Sequence, residues 1–311
     1  MKRTRYQNYD KIENRNTFAD MLRWSKERRG KTKDLIKQIP QAEQKEIKKI
    51  CNNKSDISVT WIGHSSFLIQ MAGQNILTDP VWAKRMGVQK RLTEPGIDIN
   101  ELPKIDAVVI SHGHYDHLDF GTIRKLKGSP TFYVPAGLRT AFTRRGYQKV
   151  IEADWWDVFT YDKLIFTFVP AQHWTKRSLM DTNTSHWGGW IIGCKSNSDK
   201  SIYFVGDTGY FRGFQDVAAR FAIDIVLMPI GAYEPEWFMS ASHINPEDAI
   251  KAFLELNGKL FIPMHYGAYR LADDTGPEAL DRFLAEWKRL KLDETKLKVL
   301  KIGETFWVNQ G

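Results

Sequence analysis

Six residues, His112 to His117, carry three imidazoles and one carboxylate in the run Ser111-His112-Gly113-His114-Tyr115-Asp116-His117. Neutral imidazole and carboxylate are the ligands that zinc and similar first-row divalent ions favour. Four donors this close together do not all fit one tetrahedral ion, whereas two adjacent ions can take alternate residues. A polar loop that is histidine-rich by chance is the competing reading; a strand leading into HxHxDH argues against it. Three more candidates lie far along the chain. His173 follows the turn Pro170-Ala171-Gln172, Asp207 sits in Gly206-Asp207-Thr208-Gly209, and His265 follows Leu260-Phe261-Ile262-Pro263-Met264. For any one of them a structural hydrogen bond is the commoner role, but their joint recurrence favours ligation.

What positions these groups is a repeated strand-then-turn pattern. The apolar run 105–110 reads as a buried strand that delivers the histidine loop. Residues 163–169, 201–205 and 260–264 read the same way ahead of His173, Asp207 and His265, so all can converge on one sheet edge. Asp79 likewise ends an early strand, before Pro80. Further strands are read at 58–62, 66–70, 75–78, 131–134, 189–194 and 224–230, with one or two more over 297–308. Helices are read at 120–127, 138–145, 214–221 and 277–290. Another starts at Asn245-Pro246-Glu247-Asp248, where an Asn cap, a first-turn Pro and two acids suit a helix N-terminus. The pattern predicts an α/β fold, an αββα sandwich of two mixed β-sheets flanked by helices. Residues 1–50 read as a basic, mostly helical N-terminal extension with turns near Gly30 and Pro40; residues 51–311 read as the sandwich domain.

The 311-residue chain has the apolar (42%) and charged (26%) content of a globular protein. Its net charge of +8 lies wholly in residues 1–50, which hold 15 Lys/Arg against 7 Asp/Glu. Such a segment attracts phosphate-rich surfaces, although an extension packed on the domain edge is the favoured reading. Because the basic residues are concentrated outside the domain, no nucleic-acid partner is expected. Two cysteines, Cys51 and Cys194, form no CxxC pair. With no membrane-span-length apolar run and no apolar segment behind the basic start, a cytoplasmic location is expected, with peripheral membrane contact left open.

The ligand residues, in this order, resemble the metallo-β-lactamase superfamily. That resemblance assigns His112, His114 and His173 to one metal and Asp116, His117 and His265 to the second, with Asp207 bridging. It makes Asp79 a support for the ligand loop, and every ligand position holds the expected residue type. Two divalent ions follow, zinc first, with manganese or iron also compatible. They hold a hydroxide that attacks esters, amides or phosphodiesters.

Longer blocks narrow the resemblance. Trp61-Ile62-Gly63-His64-Ser65-Ser66, Glu152-Ala153-Asp154-Trp155-Trp156, Gln172-His173-Trp174-Thr175-Lys176-Arg177 and Pro229-Ile230-Gly231-Ala232-Tyr233-Glu234-Pro235-Glu236-Trp237-Phe238-Met239 resemble the N-acylphosphatidylethanolamine-hydrolysing phospholipase D family over residues 57–308. The implied reaction cleaves a phospholipid to phosphatidic acid and an N-acylethanolamine, the partner being a phospholipid or other phosphodiester. Self-association is left open. Tyr115 is either a hydrogen-bond donor to phosphate or an aromatic prop under the loop. His243 contacts phosphate, shuttles a proton to the leaving group, or stabilises the helix start. His64 reads as a support behind the ligands, and His186 as structural. Tyr233, Trp237, Phe238 and Met239 either line an apolar substrate groove or pack loops over the sandwich. The alternatives are a lactonase, a small-molecule phosphodiesterase, a nuclease, and a metal-binding scaffold without activity.

Overall fold

Side-chain alternation along the strands divides the protein into layers. The computed structural model describes residues 4–12, 16–29, 33–34, 36–195 and 200–308. Strands β1 (Ser58–Gly63), β2 (Ser66–Met71), β3 (Gln74–Thr78), β4 (Arg85–Met86), β5 (Gln89–Lys90), β6 (Ile105–Val109), β7 (Gly128–Pro135) and β8 (Val150–Ala153) come first. They are followed by β9 (Val158–Tyr161), β10 (Leu164–Val169), β11 (Gly189–Cys194), β12 (Ile202–Phe204), β13 (Ile225–Pro229), β14 (Leu260–Met264) and β15 (Thr305–Trp307). One sheet has the order β15-β1-β2-β3-β6-β7-β8, the other β14-β13-β12-β11-β10-β9, and β4 and β5 form a small hairpin. Both large sheets mix parallel and antiparallel pairs.

Period-two patterning decides which face each residue takes. In the first sheet Val59, Trp61, Phe67, Ile69, Ala107, Val109 and Tyr133 point to the inter-sheet core, where Tyr133 stacks on Phe166 and meets Trp190 of the second sheet. Their neighbours Ile62, Leu68, Leu77, Val108 and Phe132 point to the other face. There they meet α2 (Ile47–Asn52), α3 (Phe120–Ile123) and α4 (Arg139–Thr143) through Ile50, Ile123 and Phe142. The second sheet is covered by α5 (Gly213–Ala218), α6 (Pro246–Glu255) and α7 (Gly276–Arg289). Phe261 packs there on Phe253 and Phe283. Each such buried aromatic contributes about 2–3 kcal/mol of transfer free energy. The expected αββα sandwich is the fold.

The cap expected at Asn245 is present: its side chain accepts from Asp248 N at 2.8 Å, with Pro246 in the first turn. Several helices are shorter than their apolar patterns suggested: residues 124–127, 144–145 and 219–221 leave the helix as turns and loop. The short strands β4, β5, β8 and β9 were not legible, since they are partly exposed and lack an apolar alternation.

The N-terminal extension corrects an expectation. Its described residues form one helix, α1 (Phe18–Arg28), before α2 begins at Ile47; the turn expected near Gly30 lies outside the described residues. Residues 4–12 are irregular because their polar groups bond to the domain rather than to each other: Tyr6 N donates to Asn183 O, and Arg5 to Thr182 O. The segment is stitched on by Asp10–Arg212, Trp24 and Arg28 with Asp273, and Lys33 with Glu234 and Glu278. Ile39 is buried in the core against Gly267. No helix among the described residues is long and apolar enough to cross a membrane.

Candidate metal centre

Strand direction gathers the donors. In the first sheet β1, β3 and β6 run the same way; in the second, β10, β12 and β14 do. His64, Asp79 and the histidine loop follow the first three, and His173, Asp207 and His265 the others. The C-terminal ends of these strands share one edge of the sandwich, where α/β folds place their ligands.

Two donor pockets result. In the first, His112 Nε2 lies 2.9 Å and His173 Nε2 3.2 Å from His114 Nδ1. His173 Nδ1 donates to the carbonyl of Ser242 at 2.8 Å, so its Nε2 is a bare lone pair when the ring is neutral. His112 Nδ1 meets Ser111 Oγ at 2.9 Å, which turns its Nε2 inward. The second pocket gathers His64, Asp116, His117 and His265 with donor atoms within 4.8 Å of one another. Asp116 Oδ2 stands 3.0 Å from His64 Nε2 and 3.3 Å from His117 Nε2. Asp207 faces both pockets: Oδ2 lies 3.2 Å from His117 Nε2 and 3.9 Å from His173 Nε2, and Oδ1 lies 3.0 Å from His265 Nε2.

These contacts suit a cation. His112 Nε2 and His173 Nε2 both press on His114 Nδ1 at 2.9 and 3.2 Å, so buried ring nitrogens face one another, a costly arrangement unless a charge compensates it. Lone pairs of nitrogen and oxygen converge, and no thiolate takes part, which fits zinc or another first-row divalent ion.

Asp79 lies behind the assembly. It accepts from Ser111 N (2.7 Å), Ser111 Oγ (2.5 Å) and His117 Nδ1 (2.6 Å), which leaves His117 Nε2 to face the pocket. Asp79, His64 and His265 have φ of +33°, +55° and +62°. Left-handed backbone costs such residues about 1–2 kcal/mol each, a strain characteristic of functional sites. At Gly206 (φ +71°) a Cβ would fall 2.7 Å from Ser111 Cβ, so only glycine lets the Asp207 turn approach the histidine loop.

The two pockets differ electrically. Burial lowers His112 and His173 well below the ordinary histidine range, and His114 to about 4. Burial also opposes charge on His117 and His265, but Asp207 and Asp116 outweigh it. His117 is held well above its ordinary value and His265 at about 9.

A model of the beta-lactamase superfamily domain matches residues 74–266. The chain belongs to the beta-lactamase superfamily. Among superfamily members it is similar to an uncharacterized protein of Mycobacterium tuberculosis, 37% identical over 244 residues, covering 74% of this chain and 64% of that one. It is also similar to the mitochondrial N-acyl-phosphatidylethanolamine-hydrolyzing phospholipase D of Saccharomyces cerevisiae, 33% identical over 255 residues, covering 77% and 54%. The chain therefore spans less than two-thirds of the length of these two relatives. A solved metallo hydrolase from Ignicoccus hospitalis shares the fold, with TM-score 0.61 and 24% identity over 82% of this chain and 99% of that one. The chain thus has the metallo-β-lactamase fold and carries His/Asp clusters that could hold metal ions.

The remaining sequence candidates divide. His243 stands at the centre, its Nδ1 3.8 Å from Asp207 Oδ2 and its ring 5.1 Å from that of His173. His186 is structural, held by Asp154 and stacked on Tyr6. Tyr115 is not a free donor: its hydroxyl donates to Arg177 O at 2.7 Å, and the Arg177 guanidinium lies 4.1 Å over its ring. Of the four expected groove residues only Phe238 lines a cavity beside the centre. Tyr233 is buried in the core because Arg282 covers its ring, and Trp237 is capped by Arg23 and Glu27 of α1. Met239 acts through its carbonyl, which accepts from Ser242 N and His243 N.

Three contributors were missed. Ser111 links Asp79 to His112, and its place next to the first ligand was the available signal. Arg177 Nη1 donates to Gly113 O, His114 O and Leu118 O, clamping the ligand loop. Asn8 reaches His173 from the extension, and nothing in its local sequence signals that.

Proposed function

We propose that this protein is a phospholipase D-type phosphodiesterase that cleaves N-acylphosphatidylethanolamine-like phospholipids to phosphatidic acid and an N-acylethanolamine. The observation that carries the reading is a cavity of about 490 Å³ opening beside His173. Ile12, Met21 and Phe238 supply apolar lining, and Arg5, Lys11 and Lys176 supply positive charge. An amphiphile with an acyl chain and an anionic phosphodiester suits that combination; a neutral lactone has no use for the cations.

His112, His114 and His173 would hold one ion, and Asp116, His117 and His265 a second, with Asp207 shared between them. Two such ions supply Lewis acidity and an activated water. The chain's own groups do the rest. Asp79 keeps His117 in one tautomer, and Arg177 keeps the ligand loop in register. Burial lowers His243 to about 4, so at pH 7 its ring is neutral and can accept a proton at the centre and pass it on, rather than starting as an imidazolium acid. Phe18, Met21 and Leu22 of α1 are exposed beside the basic residues of the same segment, which supports peripheral contact with an anionic bilayer.

The test is release of N-acylethanolamine from vesicles of N-acylphosphatidylethanolamine by protein loaded with zinc, manganese or iron. Chelator-sensitive release is expected. No release, together with ring-opening of lactones by the same preparation, would replace this reading with the lactonase.

A further inference from the structure

We infer that the N-terminal strap, residues 4–12, is a working part of the metal centre, and that Asn8 is the positioning residue for His173. The inference rests on the imidazole pocket taking a metal and not on any particular substrate.

Asn8 is buried, and its side-chain amide is fully engaged. Oδ1 accepts from the backbone N–H of His173 at 2.9 Å and from Trp187 Nε1 at 3.0 Å, while Nδ2 donates to Ile12 O at 2.7 Å. His173 is thereby held at both ends: Asn8 takes its main-chain N–H, and Ser242 O takes its Nδ1. Its Nε2 then points at His114. Asn8 lies outside residues 74–266, the stretch that matches the superfamily domain, so this contact is supplied by the extension.

The strap is anchored on both sides of Asn8. Tyr6 stacks on His186 with centroids 4.4 Å apart, and its N–H donates to Asn183 O. Tyr9 packs edge-on against Trp155, and Asp10 pairs with Arg212 at 2.6 Å. These contacts hold the amide against His173 and set Arg5, Lys11 and Ile12 along the cavity that leads to it. Groups that orient a ligand from behind tune metal affinity. Here the oriented group is the ligand's backbone, so loss of the Asn8 acceptor must loosen the imidazole pocket while the carboxylate pocket keeps Asp79.

The experiment uses the full-length protein stripped of metal and titrated with Co²⁺, following the visible ligand-field bands and competition with a chelator. Thermal melting of each variant is recorded alongside. Asn8→Leu removes the acceptor; Asn8→Asp keeps an acceptor oxygen in the place of Oδ1; Trp187→Phe removes the indole donor to Asn8 Oδ1 and Ala171 O while leaving the Asn8–His173 bond in place. We expect Asn8→Leu to weaken the tighter Co²⁺ site about tenfold and to alter its spectrum, with Asn8→Asp and Trp187→Phe within about threefold of the parent. If Asn8→Leu gives no cooperative melt, Asn8→Ala replaces it with the same expectation. Parent-like affinity and spectrum in the acceptor-less variant would overturn the inference. So would an equal loss in Asn8→Asp or Trp187→Phe, which would assign the effect to packing. A parent protein that binds no Co²⁺ would instead overturn the metal-centre reading beneath it.

Discussion

The two donor pockets lie side by side and share Asp207, yet they prepare for a cation in opposite ways. The pocket of His112, His114 and His173 is made of imidazoles that burial keeps neutral at pH 7, so its lone pairs are available as they stand. The pocket of Asp116, His117 and His265 surrounds its imidazoles with carboxylates, which favour the protonated rings: His117 is raised well above its ordinary value and His265 to about 9. There, protons occupy the place of positive charge and must leave before an ion enters. Their supports differ as well. The carboxylate pocket is anchored from within the sandwich by Asp79. The imidazole pocket depends on loops, through Ser242 O and Asn8. Identical side-chain chemistry thus acquires two behaviours from neighbouring charge and attachment.

The largest blow to this contrast is Asp207→Asn, which weakens the one carboxylate facing both pockets. Turnover of a chromogenic phosphodiester by the metal-loaded protein should fall on the order of 10³-fold; unchanged turnover would place the chemistry elsewhere. Next is pH. His265 carries a proton below about 9 in the metal-free protein. Apparent affinity of the carboxylate pocket should therefore climb about tenfold per pH unit between roughly 6.5 and 9 for each proton displaced. The imidazole pocket, whose rings are already neutral, should change little over that range. Metal titrations at a series of pH values separate the two. The same shift has a stability consequence: His265 is raised above its unfolded value of 6.5. Its contribution is full below that value and is lost as pH rises through about 9, so melting of the metal-free protein should drop over the same window.

Asp79→Asn should sharpen the difference in support. Metal affinity of the carboxylate pocket should fall about 10–100-fold, with a smaller loss in the imidazole pocket, which Asp79 reaches only through Ser111 and His112. Metal content after dialysis measures this, and equal losses would erase the distinction. The smallest effect belongs to Tyr115→Phe. Because its hydroxyl bonds to Arg177 O, removing it should change turnover by no more than about threefold. A much larger loss in steady-state kinetics would return Tyr115 to the reaction.

All seven candidate donor positions could be picked out of the sequence because each follows a strand whose apolar run is visible in the chain. The sandwich was legible for the same reason, since alternation in 58–71 and 105–110 leaves few ways to bury both faces. The groove was not. Tyr233, Trp237, Phe238 and Met239 are one run of large side chains, and four different environments separate them: core, α1, cavity and loop carbonyl. Composition carries no information about that separation.

By itself, then, the sequence determined which donors exist and that strand ends deliver them, because ligand chemistry and strand periodicity are local properties. Only the tertiary structure decided that the proton is favoured on His117 and His265 and disfavoured on His114, since that depends on which carboxylates fold against each ring. Only the tertiary structure decided, too, that Asn8 belongs to the centre. Its hydrogen bond to His173 spans 165 residues, and a single buried amide leaves no periodic trace in the segment that carries it.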